Sequence, residues 1–390
     1  MTRDVRVVAR SKLTLSLRVL GRRPDGFHEL EGLVVSLRDP HDVVGLRIQP
    51  PFGVRVRLSG RAVIGVPLDD SNLAARAARL LLDVAAEGED AGAWAASGLD
   101  ISLHKTIPPG AGLGGGSADA AGALVGGARL LGLSLDTAAL SALGASLGSD
   151  VPFCVAGGAA WTRGRGEILE PVTLPVGAPP PAAPGLAQLR ASRSMFDAPV
   201  VPAPPGAGSS GRSDPPPPGG GPGRSPVPAP PGASRLPAAS PPPGPSDATP
   251  WPGPAEPEPA GVALVVAVPP FSLGTAAVYR AWDELGGPSS TRAVPLPDGL
   301  AGLGLPDLLV NDLEPAAEHL EPRLRPFREG LEALAGAPAL LAGSGSAYVV
   351  PVPSPGRAAV VATQAGVELR ATAFATGLAA RGVEAQRGPE

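Results

Sequence analysis

"KTIPPGAGLGGGSADAAGALVGGARLLG" (residues 105–132) runs from a lysine through a proline-glycine loop straight into an alanine-rich, helix-like stretch. Glycine serves where backbone must approach something closely or take a positive φ. Two common phosphate loops do not fit it. A P-loop ends in Gly-Lys-Ser/Thr, and here Gly116-Ser117-Ala118 supplies no lysine. A dinucleotide fingerprint needs an acidic strand end roughly 20 residues on, and Asp136 stands at a helix start. What remains is a loop whose N–H groups, with those of a helix capped by Ser117, face an anion and are helped by the helix dipole. The alternative is a flexible connection, because the chain holds 53 glycines and 51 prolines.

The rest of the composition narrows the choice. Of 32 basic side chains only Lys12 and Lys105 are lysine, and the only asparagines are Asn72 and Asn311. A chain that uses arginine wherever a cation will do keeps lysine where a compact point charge is needed. The 390 residues leave room for two ordinary domains. A net charge of −4 lacks the basic excess of a general nucleic-acid binder. A single cysteine, Cys154, excludes an intrachain disulfide. With no secretory h-region and no long apolar run, the expectation is a soluble cytoplasmic protein without a membrane partner.

The first half reads as α+β. Strands are expected at 5–9, 13–20, 32–37, 43–49 and 54–59, with a PDG turn at 24–26. A helix capped by Asp or Ser follows at 69–87, then a strand at LDISLHK, the loop, its helix and a further helix around 136–146. LGSDVPFCVAGG and the residues after it read as strand and turn. From about Pro175 to Pro259, proline removes the donors a helix or sheet needs, and apolar side chains for a core are scarce. This tract reads as a disordered, locally polyproline-II insertion; a proline-recognising partner is conceivable, but PxxP spacings arise there by chance. Beyond it, GVALVVAVPP is a buried strand, followed by helices near 274–285, 307–319 and 323–335, strands at 338–343 and 346–352, and a last helix near 366–381.

The order SKLTLSL, PPGAGLGGGSADAA, LGSDVPF and a late AGSGSA resembles the GHMP kinase superfamily. RRPDGFHELE, LGSDVPFCVAGGAAWTRGRGEILEPV and VNDLEPAAEHLEP narrow the likeness to its kinases of 4-diphosphocytidyl-2-C-methyl-D-erythritol. That resemblance implies a two-domain α+β fold: an S5-like N-terminal domain (1–175), the insertion (176–259) and a ferredoxin-like C-terminal domain (260–390). It also implies transfer of the ATP γ-phosphate, with Mg2+, to the 2-hydroxyl of that cytidyl small-molecule substrate. Rivals are a GHMP kinase for another small alcohol, and a nucleotide-binding relic whose proline tract recruits a partner.

Carried over by residue, Asp150 corresponds to the catalytic base and Lys12 to the active-site lysine. Asn72 and Lys105 fall on the adenine side, and Pro108, Pro109, Gly110, Ala111, Gly112, Leu113, Gly114, Gly115, Gly116, Ser117 and Ala118 wrap the phosphates. Phe27 and His28 receive the cytosine, with Tyr279 as the opposite stacking face. Asn311-Asp312 match NDLE, where Asp312 also suits a helix cap, and Gly343 to Gly345 match the third glycine motif. No residue is assigned to magnesium. The chain departs from the family at Thr14, the substrate-binding position where an asparagine usually meets the substrate hydroxyls, at Ala118 for serine, and at Ser346-Ala347 for Pro-Thr. Threonine lacks an amide's simultaneous donor and acceptor, so substrate identity or efficiency is what these departures touch.

Overall fold

The two strands expected at 5–9 and 13–20 are one, β1 (Asp4–Arg22), in a computed structural model that describes residues 4–49, 53–87, 98–172, 263–287 and 310–386. Its register against β2 (His28–Gln49) shifts between Arg10 and Lys12, Thr14 and Ser16, and Val19 and Gly21. Bulges of this kind keep strands paired while re-aiming a side chain, so the alternation reads as two pieces. β2 likewise fuses the strands expected at 32–37 and 43–49. Its first half pairs with β5 (Ala159–Gly164) and its second with β4 (Gly98–Lys105), whose parallel neighbour is β3 (Gly53–Gly60). β6 (Ile168–Pro171) extends the sheet from β5.

Helix α1 (Leu73–Glu87) is capped by neither Asp nor Ser. Asn72 Oδ1 accepts from the Ala74 and Ala75 N–H groups at 3.0 and 3.2 Å, while Asp69 is spent on a turn with Ser71. Helix α2 (Gly115–Leu131) is buried almost all round, as an Ala/Gly-rich helix without a polar face must be. Its glycines let it lie directly on the sheet: a Cβ at Gly122 would stand 2.8 Å from Val44, and one at Gly126 2.6 Å from Leu46. Asp136 caps α3 (Thr137–Ala145) through the Ala139 N–H. The VPFCVA segment is a short helix, α4 (Val151–Ala156), where a strand was expected; Pro152 in its first turn needs no donor and has a helical φ already.

After the insertion, which lies outside the described residues, β7 (Ala263–Val268) is the centre of a second, antiparallel sheet. Its order is β11 (Thr372–Thr376), β7, β10 (Tyr348–Val352) and β9 (Leu340–Leu341). Leu264, Val266 and Val268 pack into the core of the first sheet. Ala263, Val265 and Ala267 pack against a second core with α5 (Thr275–Glu284), α6 (Glu314–Leu320), α7 (Leu324–Ala335) and α8 (Pro355–Glu368). Burial on both faces explains the unbroken apolar run in its sequence.

The chain end departs from the expected helix at 366–381. Ser354 caps α8 over Pro355–Glu368, and the chain then returns as β11, β12 (Leu378–Ala379) and β13 (Val383–Gln386). β12 joins β2 and β13 joins β1, so the C-terminus completes the first sheet. At 310–311, where the helix of 307–319 was expected, β8 (Val310–Asn311) pairs in parallel with β1. Among the described residues, no helix is long and apolar enough to cross a membrane.

Candidate active site

Lys12, Thr14, Phe27, His28, Asn72, Lys105, residues 108–117, Asp150 and Tyr279 all line one cleft of about 1100 Å³. That exceeds the usual span of a single ligand pocket, about 300–1,000 Å³, and leaves room for two substrates. Ala118, Asn311, Asp312 and Gly345 do not line the cleft. Ala118 lies behind the loop. It is fully buried in the first core.

At one end, two glycine loops meet backbone to backbone. Gly112 has φ +82°, and a Cβ there would lie 2.1 Å from the Ala342 carbonyl oxygen; one on Gly345 would lie 2.2 Å from the Gly112 nitrogen. The Ala347 N–H donates to the Ala111 carbonyl at 3.2 Å. Asn311 holds the later turn from below: its Nδ2 donates to the carbonyls of Leu341 and Gly343 at 2.8 and 2.7 Å, and its Oδ1 accepts from Leu313 N–H. Asp312 is not a helix cap. It accepts from the Val19 N–H at 3.0 Å and lies 3.7 Å from Arg18.

Ser117 does not cap α2. Gly114, left-handed at φ 68°, occupies that position, and the first helical hydrogen bond runs from the Ala118 N–H to the Gly114 carbonyl at 2.8 Å. The N–H groups of Gly115, Gly116 and Ser117 therefore have no partner within the helix and stand at its dipole's positive end, along the cleft. A Cβ on Gly114 would come within 2.7 Å of Lys12 Cγ, so only glycine lets the lysine stem lie across this turn.

Lys12 sits where β1 shifts register, and its own N–H donates to the Leu113 carbonyl at 3.0 Å, docking the loop on the strand. Its Nζ lies 3.4 Å from Asp150 Oδ2 and donates to Thr14 Oγ1 at 3.2 Å. Asp150, at the start of α4, is 42% exposed and uncommitted to capping, whereas the Lys12 side chain is 10% exposed. A half-exposed carboxylate beside a nearly buried ammonium is suited to accepting a proton while the cation faces an incoming anion.

Lys105 behaves differently. Its ammonium is sunk between Asp42 and Asp119, the latter at 2.5 Å. Burial pulls the lysine pKa down, but the two carboxylates outweigh it and the net shift is upward. Burial, with Asp42 adding to it, pushes the Asp119 carboxyl up to about 7 against the pull of Lys105. Asn72, the helix cap, also donates from Nδ2 to the Pro67 carbonyl at 2.7 Å. Both line the cleft, yet their polar ends are taken by the protein.

At the other end, His28 Nε2 is 2.8 Å from Asp283 Oδ1. The Tyr279 ring stacks on His28 at 4.8 Å and 25°, and Trp282 meets the same imidazole edge-on at 5.6 Å. His28 and Tyr279 thus pack on each other. Phe27 is 54% exposed, and the Arg165 guanidinium covers its ring at 5.0 Å. Sequence reasoning missed Asp42, Asp119, Asp283 and Arg165. Asp283 had a signal, since it follows Tyr279 by one helical turn, and so had Asp119, which stands in the helix that leaves the glycine loop; Asp42 and Arg165 are joined to the site by tertiary contacts.

Among the described residues, no three His, Cys, Asp or Glu side chains converge as a metal cage. Those described side chains do not make a magnesium site of their own.

Residues 72–158 match the GHMP kinases N terminal domain. Over 165 residues, 42% of this chain, the sequence is 47% identical to a 4-diphosphocytidyl-2-C-methyl-D-erythritol kinase from Acaryochloris marina, covering 49% of that protein. It is 43% identical over 172 residues to the enzyme of the same name from Methylococcus capsulatus, covering 44% of this chain and 55% of that one. The chain thus spans about half the length of the curated relatives it matches. A crystal structure of 4-(cytidine 5'-diphospho)-2C-methyl-D-erythritol kinase superposes with a TM-score of 0.55 at 27% identity, over 97% of this chain and 99% of that one.

Proposed function

For a chain that has the GHMP kinase fold and carries the GHMP kinase N-terminal domain, we propose ATP-dependent phosphorylation of the 2-hydroxyl of 4-diphosphocytidyl-2-C-methyl-D-erythritol, a step of non-mevalonate isoprenoid synthesis. The observation that carries the proposal is the Lys12–Asp150 pair, 3.4 Å apart, lining the same cleft as an unpaired helix N-terminus and an aromatic cluster. Each part has one task.

The N–H groups of Gly115, Gly116 and Ser117 hold the nucleotide's phosphates. Asp150 takes the proton of the 2-hydroxyl as its oxygen bonds to the γ-phosphorus and the bond to the β-phosphate oxygen breaks, leaving ADP. Lys12, steadied by Thr14, neutralises charge that grows on the transferring group. Magnesium, when bound with ATP, supplies further neutralisation of the phosphates. Phe27, His28 and Tyr279 receive the cytosine, and the Asp283 carboxylate fixes the imidazole orientation. We place this activity in the cytoplasm, with the active site in a cleft shared by an N-terminal domain (1–175) and a C-terminal domain (260–390).

The test is phosphorylation by the purified full chain supplied with ATP, Mg2+ and the cytidyl substrate. Turnover of that substrate, lost in Asp150→Asn with ATP binding retained, is the expected result. Turnover only of alcohols lacking cytidine would remove the substrate assignment and leave a GHMP kinase of other specificity. ATP binding with no turnover of any alcohol would point to a catalytically inert relative.

A further inference from the structure

Ala111 and Leu113 anchor the middle of the glycine loop in the first core, but its glycines carry no side chain to fix their backbone, which is the freest of all. The two ends of the loop are held by side chains outside it. Asp42, fully buried on β2, accepts from the Thr106 and Ile107 N–H groups at 2.6 and 3.0 Å, which are the first two residues after β4. The Thr106 hydroxyl donates to the neighbouring His41 carbonyl. Asp42's other oxygen accepts from Lys105 Nζ, and the same ammonium donates to Asp119 Oδ2 at 2.5 Å, in the second turn of α2. One buried cation therefore ties the strand that enters the loop to the helix that leaves it.

We propose that Asp42, Lys105 and Asp119 form a clamp that sets the phosphate loop, with Lys105 a positioning residue that touches no part of the nucleotide. The loop's span is fixed at both ends: two backbone amides are pinned by Asp42, and α2 is drawn toward the end of β4 through Lys105. The ammonium lies under the first residue of α2, 3.6 Å from where a Gly115 Cβ would be. Its place below the loop, between two carboxylates that it bonds directly, leaves a purine no charge to read there. The inference rests on the nucleotide reading above, and it assigns Lys105 to phosphate geometry instead of to adenine.

The test is equilibrium binding of ATP and of inorganic tripolyphosphate, each with Mg2+, to the full chain and to Lys105→Met/Asp119→Asn. That double variant keeps the formal charge of the cluster, because one cation and one anion are removed together, and Asp42 retains its two amide donors. Both ligands are expected to weaken by a similar factor, about tenfold, since a loosened loop must be ordered on binding. Asp119→Asn alone, which still offers Lys105 an oxygen, is expected to bind both within about twofold of the native protein. Should the double variant fail to fold by circular dichroism, Asp119→Leu, which cuts the tie at α2 and leaves Lys105 with Asp42, carries the same comparison. Loss of ATP affinity with tripolyphosphate unchanged would overturn the clamp, because Lys105 would then be touching the nucleoside. Unchanged affinity for both ligands would overturn it as well. Native protein that binds neither ligand would instead remove the nucleotide reading from which the clamp takes its purpose.

Discussion

The phosphate end and the aromatic end of the cleft are built on opposite plans. Around the glycine loops, backbone touches backbone, the cations are buried, and polar side chains such as Asn311, Asp42 and Asp119 are spent inside the protein. At the aromatic end, side chains make the surface: Phe27 is more than half exposed and His28 is set by one carboxylate and two rings. Chemistry common to every phosphoryl transfer can be held by a rigid backbone frame. On the proposed kinase reading, selection of one alcohol falls to exposed groups that can change without disturbing that frame.

Substitutions can break this contrast or sharpen it. The largest effect is expected at the seam, where Asp150→Asn removes the proton acceptor and should lower kcat about 1,000-fold while ATP binding is unchanged, checked by steady-state kinetics alongside equilibrium binding. Gly112→Ala forces a Cβ into the Ala342 carbonyl at a left-handed position. It should cost about 2–4 kcal/mol in denaturant unfolding, and a cost near zero would show that the two loops are not rigidly packed.

Tyr279→Ala should raise KM for the cytidyl substrate by the worth of one base stack, about 1–3 kcal/mol, and leave KM for ATP alone. Equal rises in both constants would mean that the two ends are not separable. The smallest effect concerns pH. The Asp119 carboxyl is raised from 3.8 to about 7 on folding, so the folded chain binds the extra proton in that window. Its contribution to stability is full below 3.8 and lost as pH rises toward 7, and Asp119→Asn should flatten that part of a melting-temperature profile.

How much of this was legible in the sequence differed from residue to residue. Lys12 and Asp150 could be read because a chain nearly devoid of lysine retains one in a motif, and because an SDVPF carboxylate follows the loop in the right order. Lys105 was singled out by the same reasoning, but its partner Asp42 could not be, since it is 63 positions away and nothing local marks it; Asp119 stands 14 positions on in the same stretch, yet nothing in the sequence shows that its carboxylate turns back to the lysine. Asn72 shows the reverse: its helix-cap chemistry is local, and that is what its amide does. The strands at 5–20 and 32–49 were read in pieces because bulges interrupt the alternation on which the reading depends. VPFCVA, six residues rich in apolar side chains, is too short for periodicity to separate helix from strand.

What the sequence by itself determined is the local backbone: a proline-glycine turn opening a helix N-terminus, with two lysines and an aspartate spaced around it. Those features follow from torsional freedom and hydrogen-bonding capacity within a few residues. Only the tertiary structure decided which polar groups face a ligand and which are consumed inside. A buried charge takes as its partner whatever the fold brings within hydrogen-bond reach, and for Lys105 the fold brings two carboxylates from other elements. The same opening stretch thus supplies both the candidate anion cradle and, through Lys105 and Asp119, two of the side chains that hold it in shape.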